Sequence, residues 1–144
     1  MDQHRVLGID YGTVRIGLSV SDPLGIIAQP LQTIANNAEF WEQLNAVIAT
    51  QDVHRIVIGM PFNLKGQKGQ KAQEVEKFIE RLKQHTDCEV VLWDERFTSA
   101  IAQRTMRALG TKKSERQKKG RIDSMAAAVM LQSFLDSTKR SMSC

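Results

Sequence analysis

Alternating apolar and polar positions dominate the first part of the chain. Strand-like runs lie at Val6–Ile9 and Arg15–Val20, and the second run alternates with period two. The turn residues between them predict a hairpin. After a second turn at 22–25, Ile26–Ile34 predicts a third strand, in which Pro30 is tolerable at a sheet edge. The pattern therefore predicts a three-stranded antiparallel meander.

Helical spacing replaces strand alternation after the meander. Asn36 and Asn37 offer N-caps for a helix whose apolar residues recur at helical spacing. Two nearly all-apolar strands and three further helices follow. The predicted elements are a helix carrying Phe40, Leu44, Val47 and Ile48, strands Arg55–Gly59 and Glu89–Trp93, and helices Gln70–Lys83, Thr98–Leu109 and Ile122–Leu135.

Strands separated by helices indicate parallel crossovers, whereas the meander indicates antiparallel pairing. We therefore expect an α/β fold with a mixed sheet and helices packed on its faces. The chain shows no internal repeat or linker, and 144 residues suit one domain. The predicted organisation is a single domain over 1–138 and a flexible C-terminal tail over 139–144.

Composition indicates an ordinary globular protein, with 42% hydrophobic and 25% charged residues. The N-terminus leads straight into a strand-like run, so we expect neither a signal peptide nor a membrane span. The two cysteines, Cys88 and Cys144, have no pairing or metal-type spacing, and His4, His54 and His85 lie at no spacing that suggests a metal site. We expect a cytoplasmic protein in a reducing compartment.

The net charge of +4 comes from one segment. Residues 111–121 read TKKSERQKKGR, with six positive charges against one negative, so the remainder of the chain carries a net −1. Such a run is commonly a solvated loop, and phosphate binding is the main competing interpretation.

Carboxylates stand where strands and helices end. Asp10 closes the first strand, Asp94 and Glu95 follow the last strand, and Asp123 opens the final helix. Singly, each has a structural explanation: Asp10 can start a turn, Glu95 can pair with Arg96, and Asp123 can favour a helix N-terminus.

Together these acids suggest a metal site. If the first and last strands run parallel, Asp10 and Glu95 project near the same sheet end, and the final helix can bring Asp123 there. Two unit charges ~4 Å apart repel by roughly 4 kcal/mol at an effective dielectric near 20, so such a cluster needs a cation or protons. Hard oxygen ligands suit Mg²⁺ or Mn²⁺, which activate water in phosphodiester hydrolysis.

Four ordered blocks resemble the YqgF (RuvX) family: GIDYGTVRIG, VIGMPFNLKG, DERFTSAIA and KKGRIDSMAAAVMLQSFL. The family is described as Holliday junction resolvases and pre-16S rRNA nucleases. The resemblance implies an RNase H-like fold with a five-stranded mixed sheet and helices on both faces. It also implies a divalent-metal-dependent endonuclease in which Asp10, Glu95 and Asp123 match the metal ligands and catalytic acids.

The same blocks suggest groups that contact nucleic acid. Gly12 and Gly17 permit a tight hairpin and close approach of a nucleic-acid backbone, and the basic segment precedes Asp123 directly. Asp94 remains an alternative ligand to Glu95. Lysines at 65, 68 and 71 can extend a phosphate-contacting surface, and solvated loop lysines are the competing and more common interpretation. The predicted nucleic-acid contacts are Arg15, Arg96, Lys112, Lys113, Arg116, Lys118, Lys119 and Arg121.

Three function classes follow. The first is a Mg²⁺- or Mn²⁺-dependent nuclease for structured RNA precursors or branched DNA, with no membrane partner, acting as a monomer or homodimer. The second is a non-catalytic RNA-binding factor in ribosome assembly. The third is an actin-like ATP-binding module, which the length and the lack of a second Asp-x-Gly hairpin disfavour.

Overall fold

The computed structural model describes residues 4–62, 65–98, 100, 104 and 118–142. All five predicted strands are present: β1 (Arg5–Asp10), β2 (Arg15–Ser21), β3 (Ala28–Ala35), β4 (Val53–Met60) and β5 (Glu89–Asp94). They form one sheet in the order β3-β2-β1-β4-β5. The β1–β2 and β2–β3 pairs are antiparallel, and the β1–β4 and β4–β5 pairs are parallel, which confirms the mixed sheet.

Helices follow the predicted positions with shifted boundaries. They are α1 (Phe40–Thr50), α2 (Gln70–His85) and α3 (Lys118–Met142), and a short 3-10 turn covers Glu95–Phe97. The predicted Asn caps are wrong, because Glu39 precedes α1 and no side chain caps that helix. The predicted Thr98–Leu109 helix lies almost wholly outside the described residues.

The last helix is longer than predicted at both ends. It begins at Lys118, inside the basic segment, and continues through residues 139–142, which the sequence pattern assigns to a tail. The end of the basic segment is therefore helical, not a loop.

Two apolar layers cover the sheet. Leu7, Ile9, Ile16 and Leu18 belong to the core that packs under α1 and α2, whereas Val57 packs against α3 on the opposite face. The helical residues of the first layer include Phe40, Leu44, Val47, Ala72, Val75, Phe78, Ile79 and Leu82, and those of the second include Met130, Leu131, Phe134 and Leu135. Among the described helices, none has the length and apolar character to span a membrane.

Small residues let α3 approach the sheet closely. A Cβ added at Gly8 would overlap Ser19 Oγ and lie 3.0 Å from Leu131 Cβ. The Ser19 hydroxyl donates a hydrogen bond to the Ala127 carbonyl at 2.8 Å, which satisfies a polar group that is buried under the helix. This packing fixes the N-terminal half of α3 over β1 and β2.

Candidate functional site

Asp10 ends β1 with a glycine on each side in the sheet. It pairs with Gly17 of β2, and it lies one residue beyond the Ile9–Ile58 pair, beside Gly59 of β4. Successive side chains of a strand alternate between faces, and Ile9 belongs to the core under α1 and α2. The Asp10 carboxylate is therefore on the α3 face.

Glu95 occupies the space above Gly59. It is the first residue of the 3-10 turn that follows β5. A Cβ added at Gly59 would lie 2.5 Å from Glu95 Oε1 and 3.1 Å from its Cγ. Any other residue at position 59 would displace this carboxylate, so the glycine permits Glu95 to lie beside Asp10.

The backbone of Asp123 occupies the space above Gly17. A Cβ at Gly17 would overlap the Asp123 carbonyl and lie 2.9 Å from the Ser124 nitrogen. The predicted use of Gly17, room for a nucleic-acid backbone, is therefore wrong, because α3 fills that room. The Asp123 carboxylate accepts a hydrogen bond from Arg15 Nε at 2.9 Å.

Burial and neighbouring acids perturb the titration of Asp10. Burial, then the charge of Glu95 and, less strongly, that of Asp123, raise the pKa of Asp10 to about 6, while Lys71 opposes them. Burial also raises the pKa of Glu95, again opposed by Lys71. Strongly perturbed carboxylates clustered at one place are typical of functional sites.

The three acids share one end of the sheet without forming one compact ligand group. Among the described residues, their oxygens are not all within 4.8 Å of one another. The charge of Asp123 reaches Asp10, but its carboxylate is bonded to Arg15. Glu95 raises the pKa of Asp10 more strongly than Asp123 does.

The Asp94 carboxylate is paired with Arg96, so Asp94 has a different role from Glu95. The Arg96 guanidinium donates to both carboxylate oxygens of Asp94: Nη2 lies 2.6 Å from Oδ2, and Nε lies 3.0 Å from Oδ2 and 3.1 Å from Oδ1. The Arg96 backbone N–H also donates to Asp94 Oδ1, at 3.0 Å. These hydrogen bonds lower the pKa of Asp94. The predicted structural alternative, a Glu95–Arg96 pair, is wrong.

The predicted nucleic-acid residues fall into three groups. Arg15 and Arg96 are each bonded to an acid at the site. Lys118, Lys119 and Arg121 lie in the first turn of α3, and Lys112, Lys113 and Arg116 are outside the described residues.

Sequence reasoning missed Gly59 and understated Lys71. The available signal for Gly59 was an apolar strand that ends in glycine, which in the structure lies next to the strand that ends in Asp10. Lys71 is in the first turn of α2 and acts on both Asp10 and Glu95, whereas its neighbour Lys68 is paired with Glu76 at 2.9 Å.

Comparison with known proteins gives consistent matches. The sequence model of the RuvX family, described as "Holliday junction resolvase", matches residues 4–137. A protein of Sulfurihydrogenibium sp. is 45% identical over 134 residues, which are 92% of this chain and 90% of that protein. A protein of Geobacillus kaustophilus is 42% identical over 139 residues, which are 94% of this chain and 99% of that protein. Both relatives are named "Putative pre-16S rRNA nuclease".

Solved structures share the architecture at low sequence identity. RuvC of T. thermophilus in complex with a Holliday junction substrate has a TM-score of 0.60 at 14% identity, covering 94% of this chain and 96% of that chain. The yeast mitochondrial resolvase Ydc2 has a TM-score of 0.56 at 11% identity, covering 92% and 78%. These likenesses confirm the RNase H-like fold. The family match over residues 4–137 and the relatives at 42–45% identity show that the chain belongs to the RuvX family of nucleases, hydrolases that act on ester bonds of nucleic acid.

Proposed function

We propose that this protein is a divalent-cation-dependent endonuclease for structured nucleic acid, with Asp10, Glu95 and Asp123 as its catalytic and metal-binding acids. The observation that carries the proposal is the placing of Glu95 and Asp123 beside Asp10, over the two glycines that flank it in the sheet. A buried carboxylate between two other acids is unfavourable unless protons or a cation offset the charge.

The donor set fits a hard cation. Three carboxylates offer only oxygen ligands, the type that Mg²⁺ and Mn²⁺ prefer. A bound divalent cation would neutralise charge on a phosphodiester and increase the acidity of a water molecule. Asp10 and Glu95 would hold it, and Asp123 would join them by exchanging Arg15 for the cation.

The positive groups around the acids would hold the polyanion. Lys118, Lys119 and Arg121 are in the first helical turn of α3, where the helix dipole disfavours cations. Phosphate binding would offset that cost, and this turn leads directly to Asp123. With Arg15, which is bonded to Asp123, this turn supports the assignment of phosphate contacts next to the acids.

Arg96 has a different role in this proposal. Its guanidinium is fixed by Asp94 and lies 5.7 Å from the ring centroids of both Phe62 and Phe97. A guanidinium held in this way orients the turn that carries Glu95, so we assign Arg96 to positioning and not to the phosphate surface.

The substrate class follows from the relatives. We propose a four-way DNA junction or a precursor of 16S rRNA, because one is the family's description and the other is in the relatives' names. Symmetric resolution of a junction needs two active sites and hence a dimer, whereas trimming an RNA precursor needs one chain. The mass of the protein in solution, with and without junction DNA, distinguishes these modes.

The decisive experiment is a side-by-side cleavage assay of both substrates in Mg²⁺ or Mn²⁺, with wild type and Asp10→Asn. We expect metal-dependent cleavage of at least one substrate by wild type, none by Asp10→Asn, and binding retained by both. Binding without cleavage in every condition would instead support the non-catalytic RNA-binding factor. Unchanged cleavage by Asp10→Asn would refute the site assignment.

A salt titration tests the phosphate surface separately. If several basic side chains contact phosphates, log affinity should fall against log salt with a slope of ~0.7 to 0.9 per contact. Replacing Lys118 and Lys119 by Ala should reduce that slope by about one to two. Lys83→Ala, on the exposed surface of α2, is the matched control and should leave the slope unchanged.

A further inference from the structure

Two histidines and an aspartate meet at the opposite end of the sheet from the acids. Their spacing in the chain predicts no metal site, but the fold brings His4, Asp52 and His54 together, with one ligand atom from each within 4.8 Å of the others. His4 Nδ1 lies 3.3 Å from Asp52 Oδ2, and His54 Nε2 lies 3.1 Å from Asp52 Oδ1.

The cluster is remote from the candidate nuclease site. His4 immediately precedes β1 and stands six positions before Asp10, which ends that strand. At a rise of ~3.3 Å per residue, the two sites are about 20 Å apart. Whatever the cluster binds is therefore independent of the proposed nuclease chemistry.

Two backbone irregularities build the cluster. Arg5 pairs with Val53 and Val6 pairs with Arg55, so His54 is the extra residue of a register shift between β1 and β4. Such bulges redirect a side chain and are common next to functional sites. Asp52 has φ of 53°, in the left-handed region that residues other than glycine rarely adopt.

The side chains are also pre-ordered. The His4 and His54 rings stack with centroids 3.4 Å apart and an interplanar angle of 20°. Each ring has one nitrogen within hydrogen-bond distance of a different oxygen of the Asp52 carboxylate. Little further ordering would be needed for these groups to bind a ligand together.

The donor types indicate which ligand. Two imidazole nitrogens and one carboxylate suit zinc and related first-row transition metals, whereas Mg²⁺ prefers oxygen alone. Two ligands on a tetrahedral zinc ion at ~2.1 Å are about 3.4 Å apart, close to the two nitrogen–oxygen distances here.

We propose that His4, Asp52 and His54 form a second metal site, which binds a Zn²⁺-type transition-metal ion and leaves its remaining position to water. To bind the ion, each neutral imidazole carries its proton on its other ring nitrogen, and the nitrogen that faces the carboxylate becomes the ligand. It ties the start of β1 to the turn before β4, so it stabilises this end of the sheet.

The test is a Zn²⁺ titration of metal-free, reduced protein by calorimetry. With millimolar Mg²⁺ present to occupy the three acids, we expect one Zn²⁺ per chain for wild type and for Asp10→Asn, and affinity weakened at least about tenfold in His54→Ala and in Asp52→Asn. His85→Ala is the matched control, because His85 lies on α2 and stacks on Trp41. Its affinity should equal that of wild type, and millimolar Mg²⁺ should not compete.

Histidine NMR gives a readout that does not depend on the variants' stability. The chain has three histidines, so one equivalent of Zn²⁺ should move the ring signals of His4 and His54 and leave that of His85 in place. Unmoved signals of His4 and His54, or equal Zn²⁺ affinity in wild type and a folded His54→Ala, would overturn the proposal. Binding lost in Asp10→Asn would also overturn it, since the ion would then belong to the acid cluster.

Discussion

Removing the charge of Asp10 should stabilise the metal-free protein while it abolishes cleavage. The pKa of this carboxyl is raised from 3.8 to about 6, first by burial and then by Glu95. The folded state therefore binds the proton more tightly than the unfolded state does, so stability falls as pH rises from about 4 to about 6. Above that range the wild type carries the full cost of a buried charge, and Asp10→Asn does not.

The expected size follows from the two pKa values. A difference of about two units at ~1.4 kcal/mol each gives an upper estimate of about 3 kcal/mol at pH 7.5, and linkage reduces it to about half a kcal/mol near pH 4. For a chain of this length, the larger figure corresponds to an increase in melting temperature on the order of 5–10 °C.

Thermal denaturation followed by circular dichroism in EDTA, at pH 4 and pH 7.5, measures this difference. Asp87→Asn, which removes an exposed acid, is the matched control and should change little at either pH. Added Mg²⁺ should raise the melting temperature of wild type and leave that of Asp10→Asn unchanged, because only the wild type would bind the ion at the acids. An Asp10→Asn protein that is no more stable than wild type at pH 7.5 in EDTA would refute the reasoning.

Three further substitutions test how the site is built. Gly59→Ala should keep the melting temperature within a few degrees but reduce cleavage at least about tenfold, because its Cβ, 2.5 Å from Glu95 Oε1, moves a flexible carboxylate and not backbone. Gly17→Ala should lower the free energy of unfolding by ~2 kcal/mol or more in urea denaturation, because there the overlap is with the α3 backbone. Lys71→Met should shift the acidic limb of the pH–cleavage profile upward, because Lys71 lowers the pKa of Asp10; an unshifted limb would exclude that interaction.

Much of the fold could be predicted because the spacing of apolar residues along the chain indicates which side chains are buried. The apolar positions of β2 and the five-residue stripe of α2, from Ala72 to Leu82, are buried as predicted, although β2 is buried on both faces because α3 covers the second. Helix ends were predicted less well. Asn37 is a strong capping residue, yet its side chain accepts from the Glu39 N–H at 3.0 Å in the turn before α1, so local turn geometry outweighed the propensity.

The sequence indicates which acids form the site, but it does not indicate which groups each acid contacts. Strand ends can be read from a sequence, and they indicated Asp10 and Glu95 as candidates. Asp123 was predicted to open the final helix, which is wrong, because α3 begins five residues earlier at Lys118. Which neighbour each acid has depends on sheet register and on how close α3 lies, and no linear spacing encodes either. The same limit concealed the His4–Asp52–His54 cluster, because it depends on a register shift between β1 and β4.

The absence of side chains at two positions explains why the acids can meet. Neighbouring strands are only about 4.8 Å apart, so residues beside Asp10 on the same face would normally fill the space above it. Glycine at 17 and at 59 leaves that space to groups from outside the sheet, the α3 backbone at Asp123 on one side and the Glu95 side chain on the other. A chain with the same three acids but larger residues at positions 17 and 59 would hold those acids apart. Integrity of the site is therefore better judged from positions 17 and 59 together with the acids than from the acids alone.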